Sequence, residues 1–195
     1  AGINDDVLPP WTPVAVSDDG SKVSVWGRTY GLAGLPLPAS IISRDSEILA
    51  SPITLSATAD GKKVTFRGGK PRVVRSKPGL VELAAEADAE LLRCQGTVQI
   101  EYDGMIRCDF RLVPKNKKVT VEKLVLEVPI HARHAQFLHT WPGRWGSALN
   151  STALPKDGFR GPFKPFVWLG DHWRGLAWFA ESDRNFSNGP KDPVI

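Results

Sequence analysis

The sequence predicts an all-β domain built as a large, supersandwich-like antiparallel β-sandwich of two sheets. Apolar residues almost nowhere recur with the spacing of a helix. Instead, short segments rich in Val, Ile, Thr and aromatic residues alternate with Gly, Pro, Asp and Asn, which is typical of sandwiches and barrels. A chain of 195 residues is long enough to bury roughly 70% of its unfolded surface. We therefore expect residues 1–195 to form a single domain.

Twelve segments are predicted as strands, enough for two large facing sheets. In chain order they are WTPVAV (11–16), KVSVWGRTY (22–30), ASIISR (39–44), ITLSATA (53–59), KVTFRG (63–68), RVVRS (72–76), LVELAAEA (80–87), ELLRCQGTVQIEY (90–102), MIRCDFRLVP (105–114), KVTVEKLVLEVPI (118–130), PFVWLG (165–170) and GLAWFAE (175–181).

The clearest local unit is a hairpin over residues 93–112, in which apolar and polar residues alternate on both strands. Residues opposite each other in an antiparallel pair must face the same side of the sheet. A two-residue Asp103-Gly104 loop would place an apolar residue against a charged one. A three-residue loop that adds Tyr102, with Gly104 left-handed, instead pairs Ile100 with Ile106. The three-residue loop is therefore predicted.

This register bears on the two cysteines. Cys94 would lie four strand residues from the partner of Cys108, roughly 13 Å away. A disulfide requires α-carbons within about 7 Å. We therefore predict two free, buried thiols.

A change of phase occurs in the strand that follows. Val119 and Val121 have one parity, whereas Leu124, Leu126 and Val128 have the other. A bulge near Glu122 or Lys123 would keep both sets facing the core, and Pro129 would end the strand pairing.

The regular pattern stops over residues 131–165, which are predicted to form a long irregular loop between the last strands. A hairpin follows, and both of its faces are apolar. Phe166 and Trp168 are predicted to share one face with Leu176 and Trp178, and the residues between them are predicted to share the other face. A sandwich buries one face of a strand pair, so a loop, a ligand or another domain is expected to cover the second.

Composition excludes several classes of partner. The net charge of +4 comes from basic residues scattered in turns and along strand faces without interleaved aromatics, so no nucleic-acid partner is expected. No apolar run approaches the roughly 20 residues of a membrane span. No signal peptide is visible at the start of the chain.

No catalytic residue, metal site or cofactor is predicted. His131, His134 and His139 lack a clustered Cys or carboxylate that would complete a metal site. Ser147 and Ser151 lie in no glycine-flanked nucleophile turn. Asp171 belongs to a hairpin turn, where Asp is favoured for its hydrogen bonds to the backbone. Strand geometry separates this carboxyl group from Glu181 and Asp183 by more than a glycosidase pair allows.

The candidate carbohydrate-binding residues are Trp141, Trp145 and Trp173, which are predicted to lie in loops, with Asp171, His172 and His139 nearby. A flat indole can stack on a sugar ring, while Asp and His can bond its hydroxyl groups. The alternative is that these tryptophans pin the long loop to the sheet or to a neighbouring domain.

Several segments, in order, resemble the N-terminal β-sandwich region of glycoside hydrolase family 123 and its uncharacterised bacterial relatives. They are LPPWTPV, VSVWGRTYGLAGLPLPASI, IEYDGMIRCDFRL, LVLEVPI, FLHTWPG and GPFKPFVWLGDHWRGLAWFAESD. The resemblance implies a sandwich placed before a catalytic (β/α) barrel in an extracellular or periplasmic multidomain protein, from which this chain is expected to be excised. In the family an Asp-Glu pair on the barrel removes N-acetylgalactosamine from glycans. No Asp-Glu dipeptide occurs here, so no catalytic residue carries over.

We therefore expect a non-catalytic module of a glycoside-hydrolase-like protein, which supports the catalytic barrel of the same chain and contacts glycan through loop aromatics. Two alternatives remain open. One is a structural spacer without a ligand. The other is a self-sufficient carbohydrate-active enzyme that uses Asp171 with His172 or His139.

Overall fold

A computed structural model describes residues 6–115, 118–141, 151–184, 186 and 194. The chain divides into two compact units, Ala1–Pro129 and Ile130–Ile195. Within the described residues every regular element is a β-strand except one 3₁₀ helix, Ala132–His134, and no helix is long and apolar enough to cross a membrane.

The first unit contains three antiparallel sheets. The first sheet joins, in spatial order, β1 (Ala15–Val16), β2 (Lys22–Val25), β3 (Arg28–Leu32), β4 (Pro38–Ser43) and β5 (Ser46–Glu47). The second joins β12 (Ile106–Pro114), β11 (Leu92–Glu101), β10 (Leu80–Asp88) and β8 (Arg67–Gly68), with β9 (Arg72–Lys77) also paired to β10. The third joins β13 (Val121–Glu127), β6 (Thr54–Ala59) and β7 (Lys62–Thr65).

The core of this unit follows from strict alternation along the long strands. On β10 every second residue from Val81 to Ala87 is buried. The register places Val81 opposite Ile100 and Leu83 opposite Val98, so apolar side chains meet across β10 and β11 on one face.

The β11–β12 hairpin confirms the predicted loop. Ile100 pairs with Ile106, and the Glu101 N–H donates to the Met105 carbonyl at 2.9 Å. Gly104 has a φ of +92°, the left-handed conformation that glycine adopts without strain. The Tyr30 hydroxyl donates to the Gly104 carbonyl at 3.0 Å and so ties the loop to the first sheet.

Both cysteines are free, as predicted, and Cys94 pairs with Leu112 rather than with Cys108. Cys94 is buried, whereas Cys108 is only half-buried because β12 is the outermost strand of its sheet. The prediction of two buried thiols is therefore right for Cys94 alone.

The bulge predicted in β13 is confirmed, since the register shifts between Val121 and Lys123. The expectation that this strand faces the core is wrong. Leu124 and Leu126 lie opposite buried Ala57 and Leu55, yet they are 45% and 39% exposed because β13 pairs only with β6 among the described strands.

The second unit holds one four-stranded antiparallel sheet. Its spatial order is β15 (Ser151–Ala153), β14 (Phe137–Thr140), β16 (Phe166–Gly170) and β17 (Gly175–Phe179). The segment 131–165 is therefore not the irregular loop predicted from the sequence, because it supplies the 3₁₀ helix and two strands.

The predicted two-sheet sandwich is wrong. The fold is all-β, but its described strands form four small antiparallel sheets instead of two large ones. Several predicted strands are in fact broken. Residues 22–30 turn back at Gly27, where φ is +71°, and residues 63–68 divide at Phe66 into β7 and β8, which belong to different sheets. Short strands joined by tight turns pair with their sequence neighbours, and this keeps each sheet small.

Candidate functional site

The register of the β16–β17 hairpin decides which side chains share a face of the second unit's sheet. Phe166 lies opposite Phe179, and Trp168 lies opposite Ala177. Gly170 pairs with Gly175, and the Asp171 N–H donates to the Arg174 carbonyl at 2.7 Å, so an even number of residues, 171–174, forms the turn. The prediction that Trp168 and Trp178 share one face is therefore wrong, because an even loop pairs even-numbered residues with odd-numbered ones.

One side of the sheet, the covered face, is mostly aliphatic. Leu138, Thr140 and Val167 on this side are all buried. The ring of Trp178 also belongs to this side, and it packs edge-on against Phe163 and Phe186, with centroids 6.0 and 6.2 Å away. Segments of the unit itself therefore pack on this face at Trp178.

The opposite side, which we call the aromatic face, is rich in rings and small residues. The pairing of the four strands places on it Phe137, His139, Ser151, Ala153, Phe166, Trp168, Gly170, Gly175, Ala177 and Phe179. Trp141 continues the alternation of β14, and its N–H donates to the Phe166 carbonyl at 2.9 Å. Trp141 is 48% exposed and Phe179 is 51% exposed, so this face is open.

Two glycines determine how Trp168 lies on the sheet. A Cβ atom added to Gly170 would lie 2.1 Å from Trp168 Cζ2, and one added to Gly175 would lie 2.4 Å from Trp168 Nε1. Only residues without side chains let the indole rest directly on the backbone of β16 and β17. The glycines thus turn Trp168 into a flat platform on the aromatic face.

A shallow, open pocket of about 390 Å³ lies beside this platform. Its lining residues are Phe137, Leu138, His139, Ser151, Thr152, Ala153 and Trp168. His139 Nδ1 and Ser151 Oγ are hydrogen-bonded at 2.5 Å, and the His139 ring packs edge-on against Phe166. The pocket therefore combines an apolar floor with one polar pair.

The turn between β16 and β17 is held by a carboxylate. Asp171 Oδ1 accepts hydrogen bonds from the Trp173 and Arg174 N–H groups at 2.6 and 2.7 Å. Asp171 Oδ2 lies 2.6 Å from Nδ1 of buried His134, and this bond, followed by those from the backbone, lowers the pKa of Asp171 to about 2. The Arg133 Nε–H donates to His134 Nε2 at 3.1 Å. Asp171 thus has the turn-forming role that the sequence predicts.

These bonds fix the two residues at the tip of the turn. Trp173 is 86% exposed, so its indole projects from the hairpin. The His172 ring packs edge-on against Phe137, with centroids 4.8 Å apart. His172 therefore connects the tip to the aromatic face.

The structure brings some of the predicted carbohydrate-binding residues together. His139 and Trp141 lie on the aromatic face, and His172 contacts Phe137 there. Asp171 and Trp173 lie at the hairpin tip. Trp145 lies outside the described residues.

Sequence reasoning missed two residues of this region. The place of Trp168 on the open face depends on the number of residues in the β16–β17 turn, and no local pattern links His134 to Asp171.

Catalytic chemistry finds little support in this geometry. Asp171 is paired with His134, not with His172 or His139 as the enzyme alternative requires. Within the described residues no three His, Cys, Asp or Glu side chains converge to hold a metal ion. The arrangement resembles a binding surface, with open rings, a small pocket and one hydroxyl–imidazole pair.

The family profile of the third domain of glycoside hydrolase 123 matches residues 16–186, so the chain belongs to the glycoside hydrolase 123 family. No curated protein matches the chain. The predicted family is confirmed, although the matching profile describes a third domain whereas the resemblance pointed to the N-terminal region. The match identifies a non-catalytic accessory domain of a glycoside-hydrolase-like protein and implies further domains in the same polypeptide.

Proposed function

We propose that this accessory domain supports the catalytic barrel of the same polypeptide and contacts glycan through its aromatic face. The observation that carries the proposal is the Trp168 indole, which rests on Gly170 and Gly175 beside a pocket with a polar pair. A sugar ring presents C–H groups on its faces and hydroxyl groups around its edge. A flat indole can stack on the C–H groups, while His139 and Ser151 can form hydrogen bonds with the hydroxyl groups.

The openness of the aromatic face also supports this proposal. The buried residues Leu138, Thr140 and Val167 all lie on the covered face of the same sheet, so the unit does not need its aromatic face to complete a core. Aromatic residues that stay open on one side of a sheet, with small residues between them, indicate an interaction surface. Trp173 at the tip extends this surface toward solvent.

The proposal includes an extracellular or periplasmic location, because polymeric glycans are encountered there. The support for it is membership of a glycoside hydrolase family. Secretion of the intact protein, followed by immunodetection in culture medium or periplasmic extract, tests the location; recovery from the cytoplasm alone would contradict it.

A glycan array followed by calorimetric titration tests binding. Trp141→Ala and Trp168→Ala should each weaken the affinity for a bound glycan by about fivefold, since aromatic stacking contributes about 1 kcal/mol. Trp173→Ala should have a similar effect if the hairpin tip reaches the glycan. Trp26→Ala is the matched control, because Trp26 is 53% exposed but lies in the first unit.

Two outcomes would contradict the proposal. A folded chain that binds no glycan on the array would favour the structural spacer. Turnover of an aryl glycoside by the chain, abolished by Asp171→Asn, would instead identify an enzyme in its own right.

A further inference from the structure

The charge of the aromatic face restricts the class of glycan that it can accept. Among the described residues that strand pairing places on this face, none is Asp, Glu, Lys or Arg. The adjoining turn carries two charged residues, Asp171 and Arg174, and both already have partners. The oxygens of Asp171 are engaged by His134 and by two backbone N–H groups. An anionic sugar laid on Trp168 would lose water without gaining a countercharge.

The polar pair in the pocket is matched to hydroxyl groups. A serine hydroxyl has one donor and two acceptor positions, so Ser151 keeps hydrogen-bonding capacity after it bonds to His139 Nδ1. His139 Nε2 makes no hydrogen bond within the part of the chain that the structure describes. A sugar hydroxyl both donates and accepts, and it can therefore pair with either group whichever tautomer His139 adopts. A carboxylate or sulfate group can accept hydrogen bonds but cannot donate them.

We infer that the aromatic face is a subsite for neutral pyranoses and discriminates against uronic, sialic and sulfated sugars. The inference rests on the proposed function and names its ligand class. Trp168 stacks against the C–H face of the sugar ring, and His139 and Ser151 form hydrogen bonds with its hydroxyl groups. The exclusion of acidic sugars follows from desolvation and requires no repulsive side chain.

Matched sugar pairs test this inference on the purified chain. Methyl galactoside is compared with methyl galacturonide, methyl glucoside with methyl glucuronide, and N-acetylglucosamine with its 6-sulfate, by tryptophan fluorescence and calorimetric titration. We expect the neutral member of any pair that binds to bind at least about tenfold more tightly than its acidic counterpart. Its affinity should change little with salt, because no ion pair contributes.

A cation placed on the face should reduce the discrimination. Ala153 and Ala177 are exposed residues of the aromatic face, so Ala153→Lys and Ala177→Lys each introduce a positive charge there. Either variant should strengthen acidic binding by about tenfold at low salt. Ala50→Lys, at an exposed position of the first unit, adds the same charge elsewhere and should leave the preference unchanged.

The outcomes separate this inference from the proposed function. Acidic sugars that bind as tightly as neutral ones would overturn the neutral preference and leave glycan binding intact. Discrimination that persists in both lysine variants, with unchanged melting temperatures, would show that the sugars bind elsewhere. Absence of binding by every pair, and by the glycan array, would overturn both statements.

Discussion

Replacing Gly170 with Ala should destabilise the second unit, because the new methyl group would occupy space filled by Trp168. The added Cβ atom would lie 2.1 Å from Trp168 Cζ2, and ordinary contact begins at 3.4 Å. The indole would therefore have to move by about 1.3 Å, the difference between these two distances. The same Cβ would lie 2.6 Å from the Arg174 carbonyl oxygen, so the turn backbone must shift as well.

Overpacking of this kind costs about 2–3 kcal/mol. The melting temperature of the chain should accordingly fall by roughly 5–10 °C. Differential scanning calorimetry and near-ultraviolet circular dichroism, which reports on the tryptophans, would measure the change. Glycan binding should weaken in the same variant, because the platform is displaced.

Gly69→Ala is the matched control, since a Cβ at Gly69 meets nothing within 4 Å and the residue does not need a positive φ. Its melting temperature should stay within about 1–2 °C of the wild type. In a double-mutant cycle, the part of the cost of Gly170→Ala that comes from the indole should disappear in a Trp168→Ala background, whereas the part that comes from the Arg174 carbonyl should remain. A Gly170→Ala chain that melts like the wild type would refute the placement of the indole over β16.

Three further outcomes are expected. The pKa of Asp171 is lowered to about 2, so the stability contributed by its charged form is complete above the usual pKa of 3.8 and is lost as the pH falls through about 2. The wild-type melting temperature should therefore fall more steeply between pH 4 and pH 2 than that of Asp171→Asn. Parallel curves would contradict this. Burial raises the pKa of Cys94 to about 11, and burial together with the charge of Asp109 raises the pKa of Cys108 to about 12. A disulfide-exchange reagent at pH 8 should therefore react slowly with the folded chain and titrate two thiols after unfolding. Rapid labelling of both thiols in the native chain would show that they are not protected. Gly104→Ala places a Cβ where φ is +92°, next to Arg28 Nη1, and should destabilise the chain by at least about 1 kcal/mol in urea unfolding; an unchanged midpoint would be inconsistent with the left-handed loop.

The two hairpins show what the sequence can and cannot predict. In the β11–β12 hairpin, strict alternation of apolar and polar residues on both strands leaves only one register that keeps like residues together, and Gly104 marks the loop. The β16–β17 hairpin is apolar on both faces, so alternation gives no preference between an even and an odd loop. A difference of one residue exchanges every partner, and Trp168 moves from the covered face to the aromatic face.

The number of sheets could not be predicted from the alternation of apolar and polar residues. Alternation identifies which side chains of a strand are buried, but it does not identify the neighbouring strand. Residues 63–68 read as one strand, yet β7 pairs with β6 in the third sheet while β8 pairs with β10 in the second. The close approach of Gly34 and Gly68 is another long-range feature, since a Cβ on Gly68 would lie 2.3 Å from the Gly34 carbonyl carbon. Such contacts depend on tertiary packing, which local patterns do not encode.

The chemistry of the aromatic face bears on the choice between a glycan platform and a seam with another domain. A seam formed by an apolar surface would bury the pocket, and His139 Nε2, which has no partner among the described residues, would lose its water. Burying an unpaired polar group is unfavourable, because its hydrogen bond to water is not replaced. Sugar hydroxyl groups would instead supply that partner while the ring covers Trp168. A neighbouring domain could satisfy His139 only by presenting a polar group or an ordered water at this point, so an apolar seam is the less favourable cover for this face.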